Sequence, residues 1–176
     1  MKMQTIQKMG LLALSAGALL AGLTMGASAQ GKVTPADRKF LTQDAQGGAY
    51  ELASAKLAAQ QASSPQVKQY AQMLVSDHEK FNAALQQLGQ QEGLKLPTTM
   101  TVKDSASLAR LSRLHGAAFD KAYTKDAMRI NQEDATDSKR EKAQTKDVRI
   151  KSFQSQFAAM DEKHLQGAQA LQVGGM

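Results

Sequence analysis

The sequence predicts an all-α protein, an up-down-up-down bundle of four amphipathic helices. Three observations carry that expectation. Apolar residues recur at alternating spacings of three and four over most of the chain beyond residue 34, the period of one helix face. Thr34-Pro35 and Ser64-Pro65 each pair a capping side chain with a proline suited to the first helical position. The chain has only three prolines and few runs of β-branched residues, which argues against an all-β fold.

The first helix opens at Thr34-Pro35 with Asp37 in its first turn. It carries Phe40, Asp44, Gly48, Glu51, Leu52, Ala55 and Ala58 at helical spacing. Gly47-Gly48 weakens helix propensity there and marks a kink or a close helix–helix approach. The second helix opens at Ser64-Pro65, presents Val67, Tyr70, Ala71, Leu74, His78, Phe81, Leu85 and Leu88, and ends at Gly93 and Pro97. After the longest uncapped connection, Leu94 to Lys103, Asp104 or Ser105 caps a third helix carrying Leu108, Leu111, His115, Phe119, Ala122, Tyr123, Asp126 and Ile130. The stretch Glu133–Lys146 is almost wholly polar, so this helix runs on exposed or breaks near Asp137-Ser138. The fourth helix follows Val148 with Ile150, Phe153, Phe157, Met160, His164, Ala168 and Leu171. Short connections make sequential helices antiparallel neighbours.

The N-terminal segment has a different logic. Lys2 and Lys8 form a basic start, Met9 to about Gly26 is apolar and rich in small residues, and Ala27-Ser28-Ala29 is a small-x-small cleavage site. Residues 1–29 are therefore expected to be a signal peptide cleaved after Ala29, and residues 30–176 a single domain, periplasmic or secreted. The competing reading is retention as an anchor, because the apolar stretch approaches spanning length. Removing these 29 residues and their two lysines takes the 176-residue chain at +6 to 147 residues at +4. No later segment is apolar enough for stable membrane insertion. The chain has no cysteine, which excludes disulfides, thiolate metal sites, cysteine nucleophiles and an acylated lipoprotein anchor.

Two histidines stand where an apolar residue belongs, His78 between Leu74 and Phe81 and His164 between Met160 and Ala168. A buried imidazole needs a hydrogen-bond partner or a metal. Counting ~1.5 Å per residue from the turns puts Glu51 and His78 within ~3 Å of one level, with Tyr123 and Asp126 opposite His164. Glu51, His78, Asp126 and His164 are thus candidate metal ligands. Imidazole and carboxylate together suit iron, manganese or zinc. The competing role is structural, with both histidines hydrogen-bonded to Glu51 or to tyrosines and fixing the register of the bundle. Paired Glu-x-x-His motifs of the di-iron type are lacking, since Asp161-x-x-His164 occurs once and Val75 stands before His78. Asp77 and Glu79 are expected to face solvent. The basic run Lys139, Arg140, Lys142, Lys146, Arg149 and Lys151 is interrupted by Glu141 and Asp147 and has no interleaved aromatics. It reads as a solvated helix end, with contact to an envelope surface as the competing role and no nucleic-acid partner expected. No G-x-S-x-G, P-loop, G-x-G-x-x-G or H-E-x-x-H motif is present.

Several strings carry a family resemblance. They are Phe40-Leu41, Gln46-Gly47-Gly48, Glu51, Lys56-Leu57-Ala58, Ala62-Ser63-Ser64-Pro65-x-Val67-Lys68 and Met73-Leu74-Val75-x-Asp77-His78-x-Lys80, followed by Gly116 to Tyr123 and His164-Leu165-x-x-Ala168-x-Ala170-Leu171. Over residues ~37–172 the chain resembles the exported bacterial family catalogued as domain of unknown function 4142. The resemblance implies a ferritin-like helical bundle, exported to the periplasm, of unassigned biochemical activity. The family repeats the Asp-His pair on the third helix, where this chain has Ile130-Asn131, so a metal site on the family pattern would lack one ligand. The leading expectation is a non-enzymatic, exported binding or envelope stress-protection protein. The alternative is a His/carboxylate metal-binding protein that sequesters or oxidises iron or handles peroxide. Partner and oligomeric state are left open, a homo-oligomer included.

Overall fold

The computed structural model describes residues 32–174; the segment read as a signal peptide lies outside them. Among the described residues there are five helices and no strands: α1 (Pro35–Gln61), α2 (Pro65–Gln91), α3 (Val102–Leu111), α4 (Gly116–Gln144) and α5 (Val148–Gly174). Both cap-plus-proline signals act as read. The Thr34 side chain accepts from the Asp37 backbone while Asp37 accepts from the Thr34 backbone, a reciprocal capping box. Ser64 caps α2 at the Val67 backbone. Gly93, at φ 65°, ends α2; Leu94 N–H donates to the Gly89 carbonyl and Gly93 N–H to Gln90, a Schellman closure.

The expected third helix is two helices. Thr101 caps a short α3, the chain turns over residues 112–115, and α4 restarts at Gly116 with φ 57°, a conformation glycine adopts without strain. His115 is the residue before that restart and caps α4 without a side-chain bond. It is no part of an inner stripe.

The connectivity also differs from up-down-up-down. Glu51 meets His78 across α1 and α2, and Asp77 meets His164 across α2 and α5. Tyr50 donates to Asp126 across α1 and α4. Near the far end, Glu92 pairs with Arg149, and Asp37 with Glu141. These pairings make α4 antiparallel to both α1 and α5, and so parallel to α2. The long helices form two hairpins, α1–α2 and α4–α5, and residues 92–115, including α3, return along the bundle between them. A short turn would have forced α2 and α4 to be antiparallel; this connection is long enough to cross over.

Two apolar clusters fill the interior. One surrounds Ala55, Ala58, Tyr70, Leu74, Phe119, Tyr123 and Ala168. The other, at the opposite end, is built on Phe40, Leu41, Phe81, Leu85, Ile150 and Phe153, with the Phe81, Phe153 and Phe157 rings in mutual contact at 4.9–5.3 Å. A Cβ on Gly48 would strike the side-chain amide of Asn82 on α2, which donates to the Gly48 carbonyl. No described helix is long and apolar enough to cross a membrane.

Candidate functional site

A polar layer separates the two apolar clusters. α1 contributes Asp44 and Glu51 from one face, since positions 44, 48, 51 and 55 share the inner stripe. α2 contributes His78, α4 contributes Asp134 and Asp137, and α5 contributes Asp161 and His164. A cavity of about 110 Å³ lies in this layer, lined by buried Glu51 and His78, by half-buried Asp44, Asp134 and Asp161, and by Gln43, Gly47, Asp137 and Ser138. That volume admits several waters or a partly hydrated ion.

His78 is 4% exposed. Its Nε2 lies 3.3 Å from Glu51 Oε2, but neither ring nitrogen makes a well-formed hydrogen bond. The distance alone makes this an ion pair of loose geometry, leaving Nδ1 without any partner. Such an orphaned imidazole is costly in a dry interior. The His164 ring stands 5.2 Å from it, centroid to centroid, yet directs Nε2 to Asp77 Oδ2 at 3.1 Å. Lys163 reaches the same oxygen at 3.3 Å. Asp77, expected in solvent, is therefore the partner of His164; Glu79 does face solvent, paired with Lys56.

Of the four residues singled out from the sequence, the structure joins Glu51 and His78, sets His164 behind His78, and leaves Asp126 out. Asp126 accepts from Tyr50 and binds Arg129 Nη2 at 2.7 Å, away from the cavity. Tyr123 belongs to the apolar cluster, stacked on Phe119. Asn131, standing where the family pattern has histidine, donates to Tyr70 Oη at 3.2 Å and to the Ala127 carbonyl. Tyr70 in turn donates to the His164 carbonyl at 3.1 Å. Asn131 thus ties α4 to α2, and through Tyr70 to α5.

The electrostatics of the cavity follow from crowding carboxylates, Glu51 buried and Asp44, Asp134 and Asp161 half-buried. Burial, with Asp161 and Glu51 facing it, pushes Asp44 well above the usual carboxylate range. Burial with Glu51 and Asp44 does the same to Asp134. Asp161 rises to about 6, chiefly from burial, although a Ser138 hydrogen bond opposes the shift. Burial disfavours the His78 cation, but the Glu51 charge and contact outweigh it and raise its pKa. His164 is lowered by burial and by the neighbouring His78, against the pull of Asp77. Burial and mutual repulsion thus disfavour the charged form of Asp44, Asp134 and Asp161, while Glu51 favours positive charge on His78.

Among the described residues no group of three or more His, Asp or Glu side chains is placed so that it could hold a metal ion. Carboxylates from α1, α4 and α5 and the His78 imidazole from α2 do line one space. Asp44, Asp134 and Asp161 are the site residues that sequence reasoning did not single out. Asp44 stood in the inner stripe and Asp161 three residues before His164, so both carried a signal; Asp134 was hidden in the polar run.

No curated protein matches the chain. Among solved structures, a DUF305 fragment from Deinococcus radiodurans is similar in fold, with a TM-score of 0.67 and 12% sequence identity; the match covers 78% of this chain and 95% of that one. At that identity the likeness concerns the helical fold alone. The family model described as Domain of unknown function (DUF4142) matches residues 22–171, so the chain belongs to that family.

Proposed function

We propose that this protein is an exported, non-enzymatic metal-binding bundle that takes up a divalent cation of the manganese, iron or zinc type in the carboxylate–imidazole cavity. The observation that carries the reading is His78, deeply buried with an unpartnered Nδ1, in a cavity lined by Asp44, Glu51, Asp134 and Asp161. Acidic side chains alone would be satisfied by protons. An orphaned imidazole among them favours a ligand with several empty coordination positions, and mixed oxygen and nitrogen donors select borderline cations over calcium. When bound, the ion would supply the positive charge that these crowded carboxylates lack. Glu51, His78 and Asp161 would hold it, with Asp44 and Asp134 completing or balancing the charge. His164, fixed by Asp77, backs His78. The single crossover between two hairpins supports the reading, since ferritin-like bundles share that connectivity and build metal sites on facing helices. Export rests on the basic, apolar and Ala27-Ser28-Ala29 segments; envelope protein with an N-terminal mass starting at Gln30 would support it.

Calorimetric titration of the purified mature chain with Mn²⁺ and Zn²⁺ tests the site. One saturable ion per chain is expected, weakened at least tenfold by His78→Gln or Asp161→Asn and unchanged by Asp126→Asn. Absence of binding by the unaltered chain, or full binding by the first two variants, overturns the reading.

A further inference from the structure

We infer that the end of the bundle holding the α4–α5 corner is a docking surface for an anionic phospholipid bilayer, with Val148 as its apolar tip and lysines around it. The inference goes beyond the cation-binding reading above and does not depend on it.

In the sequence, Glu141 and Asp147 interrupt the basic run between Lys139 and Lys151. In the structure both interruptions turn inward. Glu141 is buried and hydrogen-bonds to Asp37. Asp147 is fully buried, and its Oδ1 caps α5 by accepting from the Arg149 and Ile150 backbones. Asp37 and Glu92 are withdrawn likewise, Asp37 beside Glu141 and the Glu92 side chain against Arg149. Asp137 is taken by Arg140 Nη1 at 2.8 Å. The lysines go the other way. Lys139, Lys142, Lys146 and Lys151 are exposed, and among the described residues none of them pairs with a carboxylate. Lys95 is exposed too, on the connection that Glu92 and Arg149 bring to the same corner. Charge is thus sorted at this end, acids inward and lysines outward, and the run is uninterrupted on its solvent face.

Charge alone suits any polyanion; Val148 selects lipid. It is 54% exposed and, with Val102, is one of the two large apolar side chains left in solvent among the described residues. It opens α5, two residues from Lys146 and on one helix face with Lys151, three residues on. An apolar tip ringed by lysines matches the layering of a bilayer interface, where ammonium groups meet phosphates and the tip reaches the acyl boundary. Each basic side chain at such a surface strengthens binding about fivefold, so four lysines supply on the order of several hundredfold. No described helix is long and apolar enough to cross a membrane, so the contact is peripheral. Residues 112–121, at the opposite end, expose Arg113 and Lys121 but no large apolar side chain. They are the internal control.

The test is co-sedimentation of the mature chain with phosphatidylcholine vesicles, with and without phosphatidylglycerol. Binding to the anionic vesicles alone is expected, and its loss when salt is raised from about 0.05 M to about 0.5 M. Lys142→Glu with Lys146→Glu should weaken binding about tenfold or more. Arg113→Glu with Lys121→Glu makes the same change of net charge at the other end and should stay within about threefold of the unaltered chain. Val148→Ser keeps the charge; it should weaken vesicle binding about threefold and leave retention on soluble polyphosphate unchanged. If the charge reversal unfolds the corner, Lys142→Gln with Lys146→Gln decides by the same comparison. No binding of the unaltered chain to anionic vesicles overturns the proposal, and so does an equal loss in the two double variants. Vesicle binding unaffected by Val148→Ser, with polyphosphate retained as tightly, overturns it in favour of a soluble polyanion.

Discussion

Two carboxylate clusters lie two helical turns apart on α1, and they have opposite characters. At the start of the helix, Asp37 and Glu141 are 2% and 6% exposed and hydrogen-bond to one another. Asp37 also accepts from the backbone and side chain of Thr34 and from Thr145, and Thr145 accepts from the Asp147 backbone at 3.2 Å. Contact with Asp37, on top of burial, raises Glu141 to about 7. Asp37 is lowered, its hydrogen bonds outweighing burial. Glu141 is thus the member that carries the proton. This cluster is a clasp joining the N-terminus of α1 to the α4–α5 corner, although Glu141 Oε1 and Asp147 Oδ2 are buried there without a hydrogen-bond partner. The central cluster of Asp44, Glu51, Asp134 and Asp161 has a cavity in its midst and an imidazole with a free nitrogen. The comparison teaches that buried acidity does not identify a site. Both clusters bury polar atoms without partners; what sets the central one apart is the cavity that its side chains line.

If the clasp is structural, the largest loss of stability comes from opening it. Asp37→Ala removes the capping box, about 1 kcal/mol, and leaves the Glu141 proton without its acceptor, about 1–3 kcal/mol more. A loss of about 3 kcal/mol in urea unfolding is expected, with zinc affinity unchanged; a loss below about 1 kcal/mol would show that the clasp is not closed.

Proton linkage gives the next effect. Glu141 is raised when folded, so the native state keeps a proton that the unfolded chain releases above its ordinary value of 4.5. Stability attributable to this group is complete below that value and is lost as pH rises through about 7. Glu141→Gln, whose amide still donates to Asp37, should match the unaltered chain at pH 4 and exceed it by about 2 kcal/mol at pH 8. Parallel stability curves for the two proteins across that range would refute the shared proton.

The cavity gives a smaller stability effect but the decisive sign. Asp161→Asn removes a carboxyl raised from 3.8 to about 6, whose linkage runs the same way: stability is lost as pH rises through about 6. After discounting for partial exposure, the metal-free variant should gain about 1–2 kcal/mol at pH 8 while losing zinc binding. A variant that is both less stable and metal-free would make the cavity a second clasp.

The unequal legibility of these regions in the sequence has a physical basis. Helix starts at Thr34-Pro35 and Ser64-Pro65, the inner stripes of α2 and α5, and the burial of His78 and His164 follow from local rules, capping and apolar period. The run Glu133–Lys146 was misleading because apolar periodicity marks an inward face only where the interior is apolar. Here α4 turns Asp134 to a polar cavity and Glu141 to a polar clasp, so functional placement and surface placement look alike. The break before Gly116 was written only in one backbone angle. Asp126 was assigned to the layer by height alone, which fixes level along a bundle but not rotation about the helix, and Tyr50 and Arg129 hold it elsewhere.

Adjacent glycines offer the finest cut. Gly48→Ala must displace Asn82, which donates to the Gly48 carbonyl at 3.0 Å, and loss of that bond should cost about 1–2 kcal/mol. Gly47→Ala places its methyl in open space and should stabilise α1 by about 0.5–1 kcal/mol, the helix preference of alanine over glycine. Urea unfolding of the two metal-free variants at one pH reads both signs. Opposite signs one residue apart require the inner face of α1 to be tight at 48 and vacant at 47. Two losses would mean that α1 and α4 close over the cavity, leaving it as sealed as the clasp; two gains would mean that Asn82 does not hold the α1–α2 hairpin together.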